Sequence, residues 1–365
     1  MLERFKPKVE DVVHIDSESL RASVAAIFEK MGVPPETAAD GADVLTMTDL
    51  RAVESHGVSN MMRVYVQQFR DGILNPTPDI KVVKEMPGTA TLDADRGLGI
   101  LVGRHGMNLA MQKAKEVGFG VVTMSRSGHL GAVGHFSMIA AQNDMIGMCI
   151  TAGGTSVVPT FGGEGRLGAN PISIAAPAKN EAPVLFDVAT SAVAMNKIQL
   201  ARRVGADLLP GWVADMEGTP QMQDTPPNDY GGFLGLTIGG TREQGSHKGY
   251  GFSLMVEVLG AMLSGSVPSM FDETPRESMF KNYFAAYNIE AFTDLDTFKA
   301  NMDQMLGTLK NTKPAPGHDR VLYPGLTESE DERDRRANGI PLHKEVVEWF
   351  EGISEELSTP ALVRA

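Results

Sequence analysis

Apolar residues recur at helical spacing through the first seventy positions. Leu20, Val24, Ile27 and Phe28 share one face of a run that Ser17 or Ser19 can cap and that Gly32 and Pro34-Pro35 stop. Pro35 and Glu36 open a second helix through Ala39, Val44, Leu45 and Leu50, and a third runs from about Asn60 to Phe69, ending near Gly72. Arg51-Ala52-Val53-Glu54-Ser55-His56-Gly57 interrupts these apolar faces as a polar junction.

From about residue 79 the period changes. Ile80–Val83 and Thr89–Leu92 read as short strands, followed by a helix from about Leu101 to Val117 and a strand Gly120–Met124. A loop with His129, a helix around Phe136–Gln142 and a strand Ile146–Thr151 come next. Strands at Ile172–Ala176 and Val184–Val188 and a helix at Ala192–Val204 complete an α/β stretch. After Gly245 helices return, Gly249–Leu263 being the strongest, and Tyr283–Tyr287 is a β-type run able to rejoin the sheet. Trp212–Gly240, rich in Pro, Gly and Asp, has little periodicity. The pattern predicts an α/β (α+β) chain in which an α/β domain, 79–245, is inserted between the two parts of a helical domain, 1–78 and 246–365.

Composition narrows the function classes. The 365 residues are 42% hydrophobic, enough for a substantial core. With 33 basic against 46 acidic side chains, net −13, and no basic patch, nucleic acid is not expected as a partner. A single cysteine, Cys149, excludes an internal disulfide framework and a CxxC metal site, and its apolar setting predicts a buried thiol. No window approaches the roughly 20 apolar residues a membrane span needs, and Met1–Val13 lacks an apolar leader segment, so a cytoplasmic location is expected.

Several motifs bear on chemistry. Gly163-Glu164-Gly165-Arg166-Leu167-Gly168 matches GxGxxG, but Asn170-Pro171 and a β-type run follow it where a phosphate-binding helix should start. Gly97-Leu98-Gly99 has better context but lacks the third glycine. Ser55-His56-Gly57 is either a helix-linking histidine satisfied by backbone or a general acid–base, since imidazole titrates near neutrality. Ser127-Gly128-His129-Leu130-Gly131 follows a strand's carboxyl end, where ligands collect in α/β units. Asp187 ends the strand Val184–Phe186, where a carboxylate could orient an imidazole or bind a ribose hydroxyl, while Thr190 or Ser191 reads as a helix cap. Lys248 opens an apolar helix, a position a phosphate would favour and a solvated lysine would also occupy. HExxH, GxSxG and GxxxxGK[ST] are absent, and His129 with His135 makes a poor metal site, so no metal is expected.

Together these segments, with Gly162-Gly163 leading to Gly168-Ala169-Asn170-Pro171, Tyr323-Pro324-Gly325 and Gly339-Ile340-Pro341-Leu342, resemble the malate/L-lactate dehydrogenase family of the sulfolactate, ureidoglycolate and 2,3-diketo-L-gulonate type over nearly the whole chain. The resemblance implies a non-Rossmann nucleotide-binding domain with a mixed sheet, NAD or NADP as cofactor, and a homodimer. It implies hydride transfer from C4 of a reduced nicotinamide to the 2-oxo carbon of a small acid, giving the 2-hydroxy acid. His56 would deliver the proton, Asp187 would orient it, and His129 would compete or cooperate. Ser55 and Ser127 would sit by the substrate. Ala169, Asn170, Asp187, Val188, Ala189, Thr190, Ser191, Lys248, Pro324 and Gly325 would contact or shape the dinucleotide site.

The chain departs from the family pattern in places. Where SHGxxR is usual, the neighbourhood reads Ser59-Asn60-Met61-Met62-Arg63, so a substrate carboxylate would be clamped by Arg51, Arg63 or Arg126. Arg126 replaces the usual Asn before the serine, Ala169 the usual Thr, and Leu326 the Glu of Pro-Gly-Glu. Two other readings follow: a reductase of a cyclic 2-imino acid, and a catalytically inactive dinucleotide-binding homologue.

Overall fold

The computed structural model describes residues 3–228, 232–273 and 280–365. In chain order the principal elements are β1 (Val12–Ile15), α1 (Ser17–Lys30), α2 (Pro35–Leu50), α3 (Val58–Arg70), β2 (Lys81–Met86), β3 (Thr89–Asp93), α4 (Gly99–Val117) and β4 (Phe119–Ser127). Then come α5 (Gly134–Ala141), β5 (Met145–Ala152), β6 (Ile172–Ala176), β7 (Val184–Val188), α6 (Asn196–Val204), β8 (Val213–Ala214) and β9 (Leu234–Gly235). The chain ends with α7 (Ser246–Val256), β10 (Phe280–Asn288), α8 (Leu295–Lys310), α9 (Leu326–Asn338), β11 (Ile340–His343) and α10 (Lys344–Leu357).

Seven strands form one mixed sheet in the order β2-β3-β4-β10-β5-β6-β7, with β3 and β4 parallel and every other pair antiparallel. The β-type run at 283–287 therefore does rejoin the sheet, at its centre, although it lies beyond the expected domain boundary at 245. Successive side chains of β10 serve opposite faces, as the two-residue strand period requires. Phe284 meets Phe136 of α5 at 6.0 Å on the face covered by α4 and α5. Tyr283 and Ala285 join Ile150, Ala152, Val256 and Ala261 beneath α7 and its π-helical continuation Glu257–Ala261 on the other face.

The first helices pack outside α4, with α2 in direct contact with it. The largest apolar core runs without a break from Leu20, Phe28 and Leu45 through Leu101, Phe136 and Phe284 to Phe350. It joins the helices of both chain ends to the sheet, giving the site residues between them one rigid support. A small sheet of β1 and β11, not foreseen in the sequence, brings the N- and C-terminal regions together.

Local differences from the expected elements have simple causes. Asp16, not Ser17 or Ser19, caps α1, accepting the Ser19 N–H at 2.7 Å. The helix expected from Ala192 starts at Asn196, because Ser191 to Ala194 is spent on a turn in which Ser191 Oγ bonds the Val193 carbonyl. The aperiodic run 212–240 contains the short β8–β9 pair, and its residues 229–231 lie outside the described part. The GxGxxG sequence is loop between the antiparallel strands β5 and β6, with no helix after it.

Candidate active site

A cleft of about 510 Å³ opens where the α2–α3 junction meets the loop after β4, the end of β5, the β7–α6 connection and the first turn of α6. Its walls include Ser55, His56, His129, Thr151, Ala169, Asn170, Asp187, Val188, Ala189, Ser191, Lys197 and Phe280.

His56 is delivered by the junction, which is locked from below. Asp49, fully buried in the last turn of α2, accepts the Val58 N–H at 2.8 Å and so caps α3 from a distance. Gly57 lies so close that a Cβ there would stand 1.9 Å from Asp49 Oδ1, which has no hydrogen-bond partner. Burial drives the Asp49 carboxyl up to about 7, with the Val58 bond opposing and Glu54 adding to the rise. Above it, Ser55 Oγ and His56 Nδ1 are 2.9 Å apart.

His129 comes from the other side, two residues beyond β4. The two imidazoles stack, their centroids 5.6 Å apart and their planes 16° from parallel, and Phe280 closes on His129 edge-on at 5.3 Å. The Tyr65 hydroxyl of α3 lies 2.7 Å from His129 Nδ1, which also accepts the Gly131 N–H at 3.3 Å. Burial raises the Tyr65 phenol far above its ordinary range, so it stays protonated and donates. With Nδ1 accepting, neutral His129 holds its own proton at Nε2.

Desolvation lowers His56 to about 4, with the Lys197 ammonium adding to the effect, and lowers His129 to about 3, with His56 adding to it. Both rings are therefore neutral near pH 7. Asp187, at the end of β7, accepts the Gly134 N–H at 2.8 Å, in the first turn of α5, where the helix dipole favours an anion. Desolvation outweighs that bond and raises its carboxyl to about 6. A Cβ at Gly134 would stand 2.6 Å from Asp187 Oδ2, so this approach needs glycine.

The structure thus gathers Ser55, His56, His129, Ala169, Asn170, Asp187, Val188, Ala189 and Ser191 around one cleft. The bond recorded for Asp187 is to Gly134, whereas His56 meets Ser55, so no Asp187–His56 bond accompanies their common setting. Other expected residues are not among those that line it. Ser127 is buried, donates to the Gly128 carbonyl and accepts from Asn282. Thr190 bonds the Ala169 carbonyl. Lys248 is exposed in the first turn of α7, and Pro324 and Gly325 join α9 to β7 through the Leu185 N–H. All three arginines considered as carboxylate clamps are committed outside the cleft: Arg51 to Glu332, Arg63 to Glu345 and over Trp349, Arg126 to Asp93 and Asp95.

Sequence reasoning missed Tyr65, Thr151, Lys197 and Phe280. Thr151 ends a strand already recognised, yet nothing local shows that its buried hydroxyl lacks a partner and lines the cleft. Lys197 sits in the first turn of a recognised helix, a position that could have drawn notice. Among the described residues no group of three potential metal ligands occurs, and no helix is long and apolar enough to cross a membrane.

Known proteins share this arrangement of elements. The malate/L-lactate dehydrogenase family model matches residues 15–351. Malate dehydrogenase of Pyrococcus abyssi is 37% identical over 97% of this chain and 97% of its own length. L-sulfolactate dehydrogenase of Methanocaldococcus jannaschii is 36% identical over 93% and 96%. The solved malate dehydrogenase of Pyrococcus horikoshii superposes with a TM-score of 0.89 at 34% identity, covering 98% of this chain and 99% of that one.

Proposed function

Because this chain belongs to the malate/L-lactate dehydrogenase family, we propose that its cleft binds NAD or NADP and a small 2-oxo or 2-hydroxy acid and interconverts the two acids. The observation behind this is the stacked pair of neutral imidazoles, with different Nδ1 partners, in the same cleft as the Asp187 carboxylate.

The residues present suit a dinucleotide. The cleft has the volume of an ordinary ligand site. The buried Thr151 hydroxyl, without a protein partner, is free to meet a polar ligand group. Backbone of Asp187 to Ala189, with Ala169 and Asn170, lines the wall that would hold it. When bound, a nicotinamide supplies or accepts the hydride.

The chain's own contribution is control of the proton. Neutral His129, with Nε2–H, is a hydrogen-bond donor for the substrate's oxygen; giving that proton away would leave an imidazolate, so it polarises the oxygen. His56, neutral near pH 7, accepts the hydroxyl proton during oxidation, and its protonated form returns a proton during reduction. Phe280 and Val133 exclude water from the same space. Asp187, mostly ionised near pH 7, offers a negative charge to an oxidised, cationic nicotinamide.

The reading extends to architecture. The α/β portion, with β10 added, is a non-Rossmann nucleotide-binding domain inserted between two helical parts, and the enzyme is cytoplasmic. The exposed apolar side chains Phe252, Met255, Val258 and Met262, spaced along one side of α7 and its continuation, suit a homodimer contact.

The test is NADH and NADPH oxidation with oxaloacetate, pyruvate, sulfopyruvate and a cyclic imino acid, alongside calorimetric binding of both dinucleotides. Turnover of a 2-oxo acid is the expected result. Turnover of the imino acid alone would move the reading to an imine reductase, and failure to bind either dinucleotide would refute it.

A further inference from the structure

The arginine expected three residues after Gly57 is replaced by Asn60, and Arg51, Arg63 and Arg126 are all held outside the cleft by carboxylates. Among the described residues lining the cleft, one cationic side chain remains, Lys197. It shares the wall with Glu54, which pairs with Arg335 at 2.6 Å, and with Asp187 and Glu328, whose charges oppose an incoming carboxylate.

We propose that Lys197 binds the substrate carboxylate in place of the missing arginine, and that Asn60 holds the helix bearing it in position. This rests on the cleft being the site of 2-oxo acid chemistry.

Three features of Lys197 suit this role. Its side chain forms no hydrogen bond or ion pair with any described residue, unlike the three arginines. It lines the same cleft as His56, whose proton affinity its ammonium lowers, so a carboxylate held there would keep its 2-carbon on the side of the proton-transfer group. Desolvation lowers the lysine's own proton affinity, with Glu54 opposing, and a bound anion would relieve that cost.

Asn60 supplies the mechanical half. Its Nδ2 donates to the Ser55 carbonyl at 3.3 Å and to the Asn196 carbonyl at 3.1 Å, joining the residue before His56 to the residue before Lys197. Arg203, six residues beyond Lys197 on α6, donates to Asn60 Oδ1 at 3.2 Å and to the Ser59 carbonyl at 3.0 Å. An arginine at position 60 could not make both carbonyl bonds and accept from Arg203, because guanidinium has no acceptor. Asparagine at position 60 therefore stitches α3 and α6 together here, and the cation left in the cleft lies on α6. Asn60 is a positioning residue; Lys197 touches the substrate.

The experiment uses the full chain with K197M, K197R and N60A. It measures NADH binding by fluorescence, oxamate binding to the enzyme–NADH complex, and KM and kcat for oxaloacetate and for methyl pyruvate, which lacks the carboxylate. For K197M, oxamate affinity should fall and the oxaloacetate KM should rise by about 10- to 100-fold, the range of one charge-assisted bond. NADH affinity should change far less than oxamate affinity, the methyl pyruvate KM should rise far less than the oxaloacetate KM, and K197R should recover most of the loss. N60A should raise the oxaloacetate KM less than K197M does while leaving NADH affinity unchanged. Parent protein that turns over oxaloacetate, with K197M binding oxamate equally well, would overturn the assignment of Lys197 alone. An equal loss by K197M towards methyl pyruvate would also overturn it, as a structural effect. Parent protein that binds no 2-oxo acid would overturn both this inference and the functional reading beneath it.

Discussion

Replacing Asp49 by asparagine tests the support beneath His56. Asp49 has no exposed surface, and its carboxyl titrates at about 7 against the ordinary 3.8. The shift is about 3 units, worth about 4 kcal/mol in full at about 1.36 kcal/mol per unit. For an acid whose folded value is raised, the native state keeps its proton where the unfolded chain has lost it. Stability is therefore fully present below the unfolded value and declines as pH rises through the window from 3.8 to about 7. Between about pH 5 and about pH 8 this group alone should remove about 2–3 kcal/mol from the parent protein. Asparagine keeps an oxygen for the Val58 N–H and has no charge to lose, so the D49N variant should lack this decline. Asp187, His56, His129 and His135 titrate in both proteins and cancel in the comparison. Urea unfolding followed through Trp212 and Trp349 at the two pH values gives the measurement. If the parent and D49N lose the same stability between them, the carboxyl does not titrate as its burial requires, and the account of the junction is wrong.

Three further perturbations address the site directly. H56N should lower oxaloacetate turnover by about 100- to 10,000-fold with NADH affinity unchanged, as loss of a general acid–base does; near-normal turnover would pass the role to His129. Y65F removes the hydroxyl donor at His129 Nδ1, leaving the Gly131 N–H, and should lower kcat by about 3- to 10-fold, the worth of one hydrogen bond; an unchanged kcat would show that Tyr65 does not fix the ring. G134A places a Cβ against Asp187 and should weaken NADH binding by about tenfold or more in a fluorescence titration, consistent with overpacking costs; equal affinity would remove Asp187 from the dinucleotide wall.

Local pattern revealed most of the elements because helices and strands have fixed periods that side-chain polarity follows. Leu20, Val24, Ile27 and Phe28 became one buried helix face as their spacing required. What spacing leaves open is which elements become neighbours. Tyr283–Tyr287 has the composition of a strand, yet its place between β4 and β5 depends on partners more than 130 residues earlier in the chain. The same limit applies to the arginines. An arginine in a sequence announces a charge, while its destination depends on carboxylates such as Glu332 and Glu345, brought close by the fold.

The candidate site divides along this line, and the division explains its chemistry. His56 and His129 stand out locally, one in a polar break between helices and the other beyond a strand end. Their supporting partners are groups that no local motif identifies. Tyr65 lies on the helix that begins just after His56, but its hydroxyl serves His129, so α3 contributes to both rings at once. Asp49 sets where that helix begins, and Asn60 ties its first turn to α6 and Lys197. A displacement of α3 would therefore alter proton position on one imidazole, placement of the other, and the distance of both from the cleft's lysine. The site acts as one unit because a single helix carries its connections, and that helix is rigid because Tyr65, Met62 and Val58 are buried in the core shared with the sheet.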